Sequence, residues 1–285
     1  MDQKIIDLYD DFTHDRISRR SFMQRLTVMV GGTAAVSAIL PLLENNYALA
    51  AMVEEGDSRI EVSTVTYTSG GAQVSGYLAK PRGGKNLATV VVIHENRGLN
   101  PHIKDVARRL ATEGFLAMAP DALSLSGGTP ADQDKARDMI RALDKDKALG
   151  VYLDGAGFMA KHADGSGKVG CVGFCWGGAM ANNMAVNLPD LKGAVAYYGR
   201  QPKAADAAKI KAPLLLHYAG LDKRVNEGIA DYEAALKAAG VRYDLHIYDG
   251  ANHAFNNDTN AARYNKDAAT LAWGRTVSFL KANLG

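Results

Sequence analysis

Val169-Gly170-Cys171-Val172-Gly173-Phe174-Cys175-Trp176-Gly177-Gly178 is the stretch that decides how this chain is read. Val169 to Phe174 is a short apolar run of strand type, and a helix-forming stretch runs from Gly177 through Asn187. Cys175 stands between them in a glycine-flanked turn. A strand-to-helix turn of this kind is a nucleophile elbow. It presents one side chain at the end of a sheet, and its glycines prevent collisions with the neighbouring strand and helix. Here that side chain is a cysteine, where serine is usual. The helix that follows aims its N-terminus at the sulfur, which lowers a thiol pKa and favours negative charge nearby. Free cysteines are more often inert and packed. Cys171, inside the strand, fits that plainer description, whereas Cys175 does not.

Outward from this turn, strands alternate with helices. Glu61 to Ser69 and Gln73 to Lys80 alternate β-branched or aromatic residues with polar ones across Gly70-Gly71, which predicts an antiparallel hairpin at a sheet edge. Ala88 to Ile93 is continuously apolar, as a strand buried on both faces must be. Further strands are expected at 114–119, 194–198, 213–218 and 243–248. Helices are expected near 103–112, 130–162 (two segments), 227–239 and 261–283. This order predicts an α/β fold with a mostly parallel central sheet and helices on both faces.

Asp222 follows the strand Pro213 to Tyr218, and His253 follows the strand ending near Tyr248. Both sit beyond strand C-termini, where open parallel sheets build their sites. A thiol nucleophile needs a base, and the base needs an orienting acid. The order Cys175, Asp222, His253 is the α/β-hydrolase order of nucleophile, acid and base. The loop after Ile93 reads His94-Glu95-Asn96-Arg97-Gly98. The backbone N–H groups of Asn96 and Trp176 are the expected oxyanion hole. Glu95 is either a solvated loop acid or a carboxylate that engages the thiol. Among the other histidines, His94 is read as structural, His102 as solvated, His217 and His246 as strand residues, and His14 as part of a leader.

Together the HEN segment, the APDAL segment, GFCWGG, GLD and GANHAF resemble the dienelactone hydrolase (carboxymethylenebutenolidase) family over nearly all of residues 51–285. The resemblance implies a hydrolase of small esters or lactones without metal or organic cofactor. It assigns Cys175 as nucleophile, His253 as base, Asp222 as its orienter and Glu95 as the carboxylate that activates the thiol. Family members that open dienelactone hold its carboxylate with two arginines. The corresponding stretches here place Leu125 and Asn257 near those positions, with no arginine in either. Uncharged acyl groups are therefore the expected substrates, unless Arg97 swings in as a substitute cation. The rival reading is a non-catalytic ligand-binding or redox-sensing protein on the same fold, using Cys175 as an oxidisable thiol.

Composition narrows the remaining classes. Across 285 residues, 47% are apolar and 22% charged, with a net charge of +2 and no basic run, so nucleic acid is not an expected partner. Two cysteines four residues apart, without nearby ligands, imply neither a disulfide framework nor structural zinc. The oligomeric state is left open. Residues 1–50 differ from the rest. Ser18-Arg19-Arg20-Ser21-Phe22-Met23-Gln24 precedes an apolar small-residue stretch and Ala48-Leu49-Ala50, the layout of a twin-arginine export signal. The expected organisation is a signal over 1–50, a hydrolase domain over 51–285, a periplasmic location and no permanent membrane span. An uncleaved amphipathic helix built on Ile5, Ile6, Leu8, Tyr9 and Phe12 is the alternative.

Overall fold

The Gly70-Gly71 turn gives both of its residues positive φ, 54° and 83°, a conformation open to glycine at little cost. In the computed structural model, which describes residues 1–47 and 51–285, it joins β1 (Ile60–Ser69) to β2 (Ala72–Pro81). The two strands pair antiparallel from Ile60–Pro81 to Ser69–Ala72. The remaining strands are β3 (Leu87–Ile93), β4 (Leu116–Pro120), β5 (Gly165–Phe174), β6 (Ala194–Tyr197), β7 (Leu214–Ala219) and β8 (Tyr243–Tyr248). They form one eight-stranded sheet in the order β1-β2-β4-β3-β5-β6-β7-β8. The strands from β4 to β8 across the sheet are parallel, and β2 pairs antiparallel with β4. From β3 the chain moves one way to β4 and then crosses back to β5. That reversal opens a crevice at the strand C-termini.

Residues ahead of the sheet form three helices, α1 (Gln3–Thr13), α2 (Arg19–Val30) and α3 (Thr33–Leu43). Asp2 caps α1 by accepting from the Lys4 N–H, and Ser18 caps α2 by accepting from Ser21. The apolar positions of α1 follow helical spacing: Ile5, Leu8, Tyr9 and Phe12 pack with Phe22, Leu26, Val36 and Leu43 in a small core of their own. No single described helix is long and apolar enough to cross a membrane. Ala48-Leu49-Ala50, the expected cleavage pattern, lies outside the described residues.

Helices α4 (Pro101–Thr112), α5 (Gln133–Ala142), α6 (Lys145–Ala160), α7 (Trp176–Asn187), α8 (Lys223–Asn226), α9 (Ile229–Ala238) and α10 (Lys266–Leu284) complete the chain. Ile103, Val106 and Leu110 of α4, with Ala272 and Leu280 of α10, bury against one face of the sheet. Tyr152 of α6, Met180 and Met184 of α7 and Leu236 of α9 bury against the other. Burial of each of the Ile, Val, Leu and Met side chains among these contributes roughly 1.5–3 kcal/mol. The three-layer α/β architecture expected from the sequence is therefore present, with α10 starting at Lys266 rather than 261. Residues 261–265 instead continue the irregular loop that carries His253.

Candidate active site

Cys175 is the residue between β5 and α7, with φ 57° and ψ −116°. A cysteine tolerates this backbone only where its surroundings enforce it. The enforcement comes from close approach. A Cβ on Gly173 would collide with the Gly177 carbonyl, and one on Gly178 would lie 2.5 Å from the Tyr197 carbonyl oxygen. At Gly177 an added Cβ would run into the carbonyls of Ile93 and His94. Side chains are thus excluded at Gly173, Gly177 and Gly178 around the apex. Two of the other non-glycine residues with positive φ, Asp15 and Tyr198, line the cavity beside Cys175.

His253 sits 4% exposed, and its Nδ1 donates to Asp222 Oδ2 at 2.5 Å. That bond fixes the ring and leaves Nε2, which is buried and has no hydrogen-bond partner, on the side of Cys175. Asp222 itself is anchored as the cap of α8, its Oδ1 accepting from the Val225 N–H. Burial pushes the His253 pKa down, but the Asp222 carboxylate and the Cys175 sulfur outweigh it and raise it to about 10. Burial likewise opposes ionisation of Cys175. The neighbouring His253 and His14 outweigh it and lower the thiol to about 5. Cys171 has no such neighbours, and burial pushes it up to about 12. Trp176 occupies the first position of α7, where no preceding turn supplies a carbonyl for its N–H. Asn96 lines the cavity beside Cys175.

His14 is the residue that sequence reasoning missed. It closes α1, and its Nε2 lies 3.5 Å from Cys175 Sγ. Its Nδ1 faces Asp10, 2.9 Å from the backbone oxygen and 3.2 Å from Oδ1. The rings of His14 and His253 meet edge to face with centroids 4.6 Å apart. A cavity of about 290 Å³ opens beside the sulfur, with Thr13, His14 and Asp15 forming one wall. The Asp10–His14 spacing of four on an amphipathic helix was visible in the sequence, but nothing local tied it to residue 175.

The remaining predicted residues divide. Glu95 is buried and makes no bond to Cys175. Its Oε2 accepts from Asn257 Nδ2 at 2.7 Å, and Oε1 has no partner. Asn257 is therefore committed to Glu95 and does not line the cavity. Leu125 packs beside the cluster of Tyr67, Leu78 and Met118 at the β1–β2 end, also away from the cavity. The Arg97 guanidinium points to α1 and donates to the Tyr9 hydroxyl at 3.0 Å. His102, expected to be solvated, is fully buried and lies 3.0 Å from the Asp258 carboxylate. His94 is structural as expected: Nδ1 donates to the Glu95 carbonyl, Nε2 accepts from the Ala122 N–H, and the ring stacks on Trp176.

The elbow, the buried His–Asp pair beyond β7 and β8, and the sheet order coincide with the pattern of one family, and residues 74–284 match the Dienelactone hydrolase family directly. The chain belongs to that family. It is 36% identical over 253 residues to a "Putative carboxymethylenebutenolidase" of Saccharolobus solfataricus, covering 76% of this chain and 97% of the relative. The dienelactone hydrolase of Anabaena variabilis shares the fold, with a TM-score of 0.62 at 22% identity over 80% of this chain and all of that one. A dienelactone hydrolase-like promiscuous phosphotriesterase from metagenomic libraries superposes with a TM-score of 0.70 at 24% identity, again over 80% and all of the respective chains. Residues 1–31 separately match a family described as YqhI-like. This member of the dienelactone hydrolase family is thus a hydrolase whose N-terminal helices carry a sequence pattern of their own.

Proposed function

We propose that this protein cleaves small carboxylic esters or lactones through a covalent Cys175 thioester. The observation that carries the reading is Cys175 in a backbone-strained elbow beside the His253–Asp222 pair. The thiolate attacks the carbonyl carbon, and the oxyanion is received by the N–H groups of Trp176 and Asn96. The His253 imidazolium then protonates the departing alkoxide, which in a lactone remains attached to the acyl chain. Water, losing its proton to the now neutral His253, attacks the thioester, and the thiolate is released. Because the thiol is already lowered to about 5, Glu95 is not needed to ionise it at rest, which fits its engagement with Asn257. Replacing Cys175 by Ala should lower kcat/KM for short acyl esters by roughly a thousandfold or more, whereas Cys171→Ala should leave it nearly intact. Equal behaviour of the two variants would sink the assignment.

Export by the twin-arginine route, with residues 1–50 retained after transport, is a separate proposal, supported by Ser18-Arg19-Arg20 and by the exposure of both arginines, of which Arg19 reaches Asp134. That route carries folded chains. Cell fractionation tests it: Arg19→Lys with Arg20→Lys should shift the protein from periplasm to cytoplasm. An unchanged distribution would count against export.

A further inference from the structure

Two His–carboxylate pairs converge on one sulfur. Asp222 and His253 reach it from beyond β7 and β8, and Asp10 and His14 reach it from α1, more than 160 residues away in the chain. We propose that the N-terminal helices complete the active site, with His14, oriented by Asp10, acting as a second catalytic imidazole on Cys175. The inference rests on the reading of Cys175 as nucleophile.

The geometry of α1 argues for function. His14 is held in one orientation because Nδ1 faces the Asp10 carbonyl and carboxylate, so only Nε2 can address the sulfur. As the C-terminal cap residue of α1 it also sits where the macrodipole favours a cation. Asp10 is fixed in turn by Arg224 and Arg263, each 3.7 Å away. The whole segment is docked by directed contacts. Asn96 Nδ2 donates to the Thr13 carbonyl at 2.9 Å, Arg97 to the Tyr9 hydroxyl, and Gln133 to the Asn45 carbonyl at 3.0 Å. The Arg137 guanidinium lies over the Phe12 ring, 4.2 Å from its centroid. Yet the cavity beside Cys175 stays open, so the segment walls the site without filling it.

Two imidazoles divide the work that one must otherwise do alone. His253 carries the proton to the departing alkoxide and later takes one from water. His14 remains protonated and donates Nε2–H to the sulfur, stabilising its negative charge as attacking thiolate and again as leaving group from the thioester. No proton is gained or lost over the cycle. The charges around the sulfur favour this: three anions, the Cys175 thiolate and the Asp10 and Asp222 carboxylates, face four cations, His14, His253, Arg224 and Arg263. Farther out, Arg141 pairs with Asp15, and Arg137, Lys145 and Arg200 face the same cavity. Burial opposes a charged His14, but Asp10 and Cys175 hold its pKa above the ordinary value.

The test uses full-length protein in a Cys171→Ala background. Iodoacetamide alkylation of Cys175 is followed against pH beside ester turnover. His14→Gln should raise the apparent thiol pKa by about one unit or more and lower kcat/KM near pH 6 by roughly 10–100-fold, with Asp10→Asn between it and the parent. Turnover by His14→Ala should be partly restored by added imidazole, a rescue that loss of structure would not permit. An unchanged alkylation profile in His14→Gln, or faster turnover after removing the imidazole, would overturn the proposal, the latter by making α1 an obstruction. Failure of the nucleophile reading looks different: Cys175→Ala would keep its activity, while His14→Gln with Cys175 in place still shifted the alkylation profile.

Discussion

Two thiols four residues apart show what decides ionisation in a buried site. Cys171 and Cys175 are both withdrawn from water, which opposes the thiolate in each. Only Cys175 has imidazoles beside it, and the attraction of a thiolate for an imidazolium at this distance exceeds the burial penalty. Its folded value near 5 lies below the ordinary thiol value. Its ionisation therefore adds stability that is complete above that ordinary value and is lost as pH falls through about 5. His253 runs the other way. Its value, raised to about 10, adds stability that is full below the ordinary imidazole range and is lost as pH rises through about 10. The thiolate–imidazolium pair is thus the resting state between those limits. The pH profile of kcat/KM for a neutral ester should show an acid limb near 5 and an alkaline limb no higher than about 10, set by whichever of His14 and His253 loses its proton first. A single rise near the ordinary thiol pKa of about 8.5 would show that Cys175 rests as a neutral thiol.

Elements are held to the site by backbone contact as much as by side chains, and the glycines report where. Gly177 opens α7 against the carbonyls of Ile93 and His94, and no side chain lies in the way that could move aside. Gly177→Ala should cost about 3 kcal/mol or more and displace β3 from α7. Gly274 lies in α10 with nothing within 4 Å of an added Cβ. Gly274→Ala should stabilise by roughly 0.5–1 kcal/mol through helix propensity alone. Urea unfolding of the two variants beside the parent checks both signs, and a neutral Gly177→Ala would refute the packing argument. The same contrast explains what was legible in the sequence. The buried strands, the elbow and the His253–Asp222 order are written in local runs of residues, because period, glycine placement and position after a strand are local properties. The contacts of His14 with Cys175, of Asn257 with Glu95 and of His102 with Asp258 join segments far apart in the chain, and no local pattern encodes them. The expected export signal over 1–50 includes the residues that form α2 and α3. Apolar small residues that suit a signal serve equally well as α2 and α3, whose burial comes from packing against α1.

On the scale of the whole molecule, the charge of the cavity wall revises the expected substrate. The expectation of uncharged acyl groups rested on Leu125 and Asn257 standing where family arginines would be, and neither reaches the cavity. Other cations do. Arg137, Arg141, Lys145, Arg200 and Arg224 line it, against Asp15 as the acidic member of the wall. Several are already engaged: Arg141 with Asp15, Arg137 with Asp134, and Arg224 near Asp10. Lys145 and Arg200 form no ion pair among the described residues, which leaves two uncompensated positive charges facing the site. Both are accessible to water, so their pull on an anionic acyl group is screened and acts over about 8–10 Å at moderate salt. The effect belongs in KM and in ionic strength, not in the chemical step. An ester carrying a free carboxylate should therefore show a KM roughly 3–10-fold below that of its methyl ester in low salt. The advantage should vanish in about 0.5 M salt and in Lys145→Gln with Arg200→Gln. Arg97→Gln should leave this ratio unchanged, because its guanidinium is buried against Tyr9 and is screened from substrate by α1. A methyl ester that binds better than the free acid in low salt would mean that the acyl group rests against the apolar side of the cavity, at Ile140, Leu143 and Trp176.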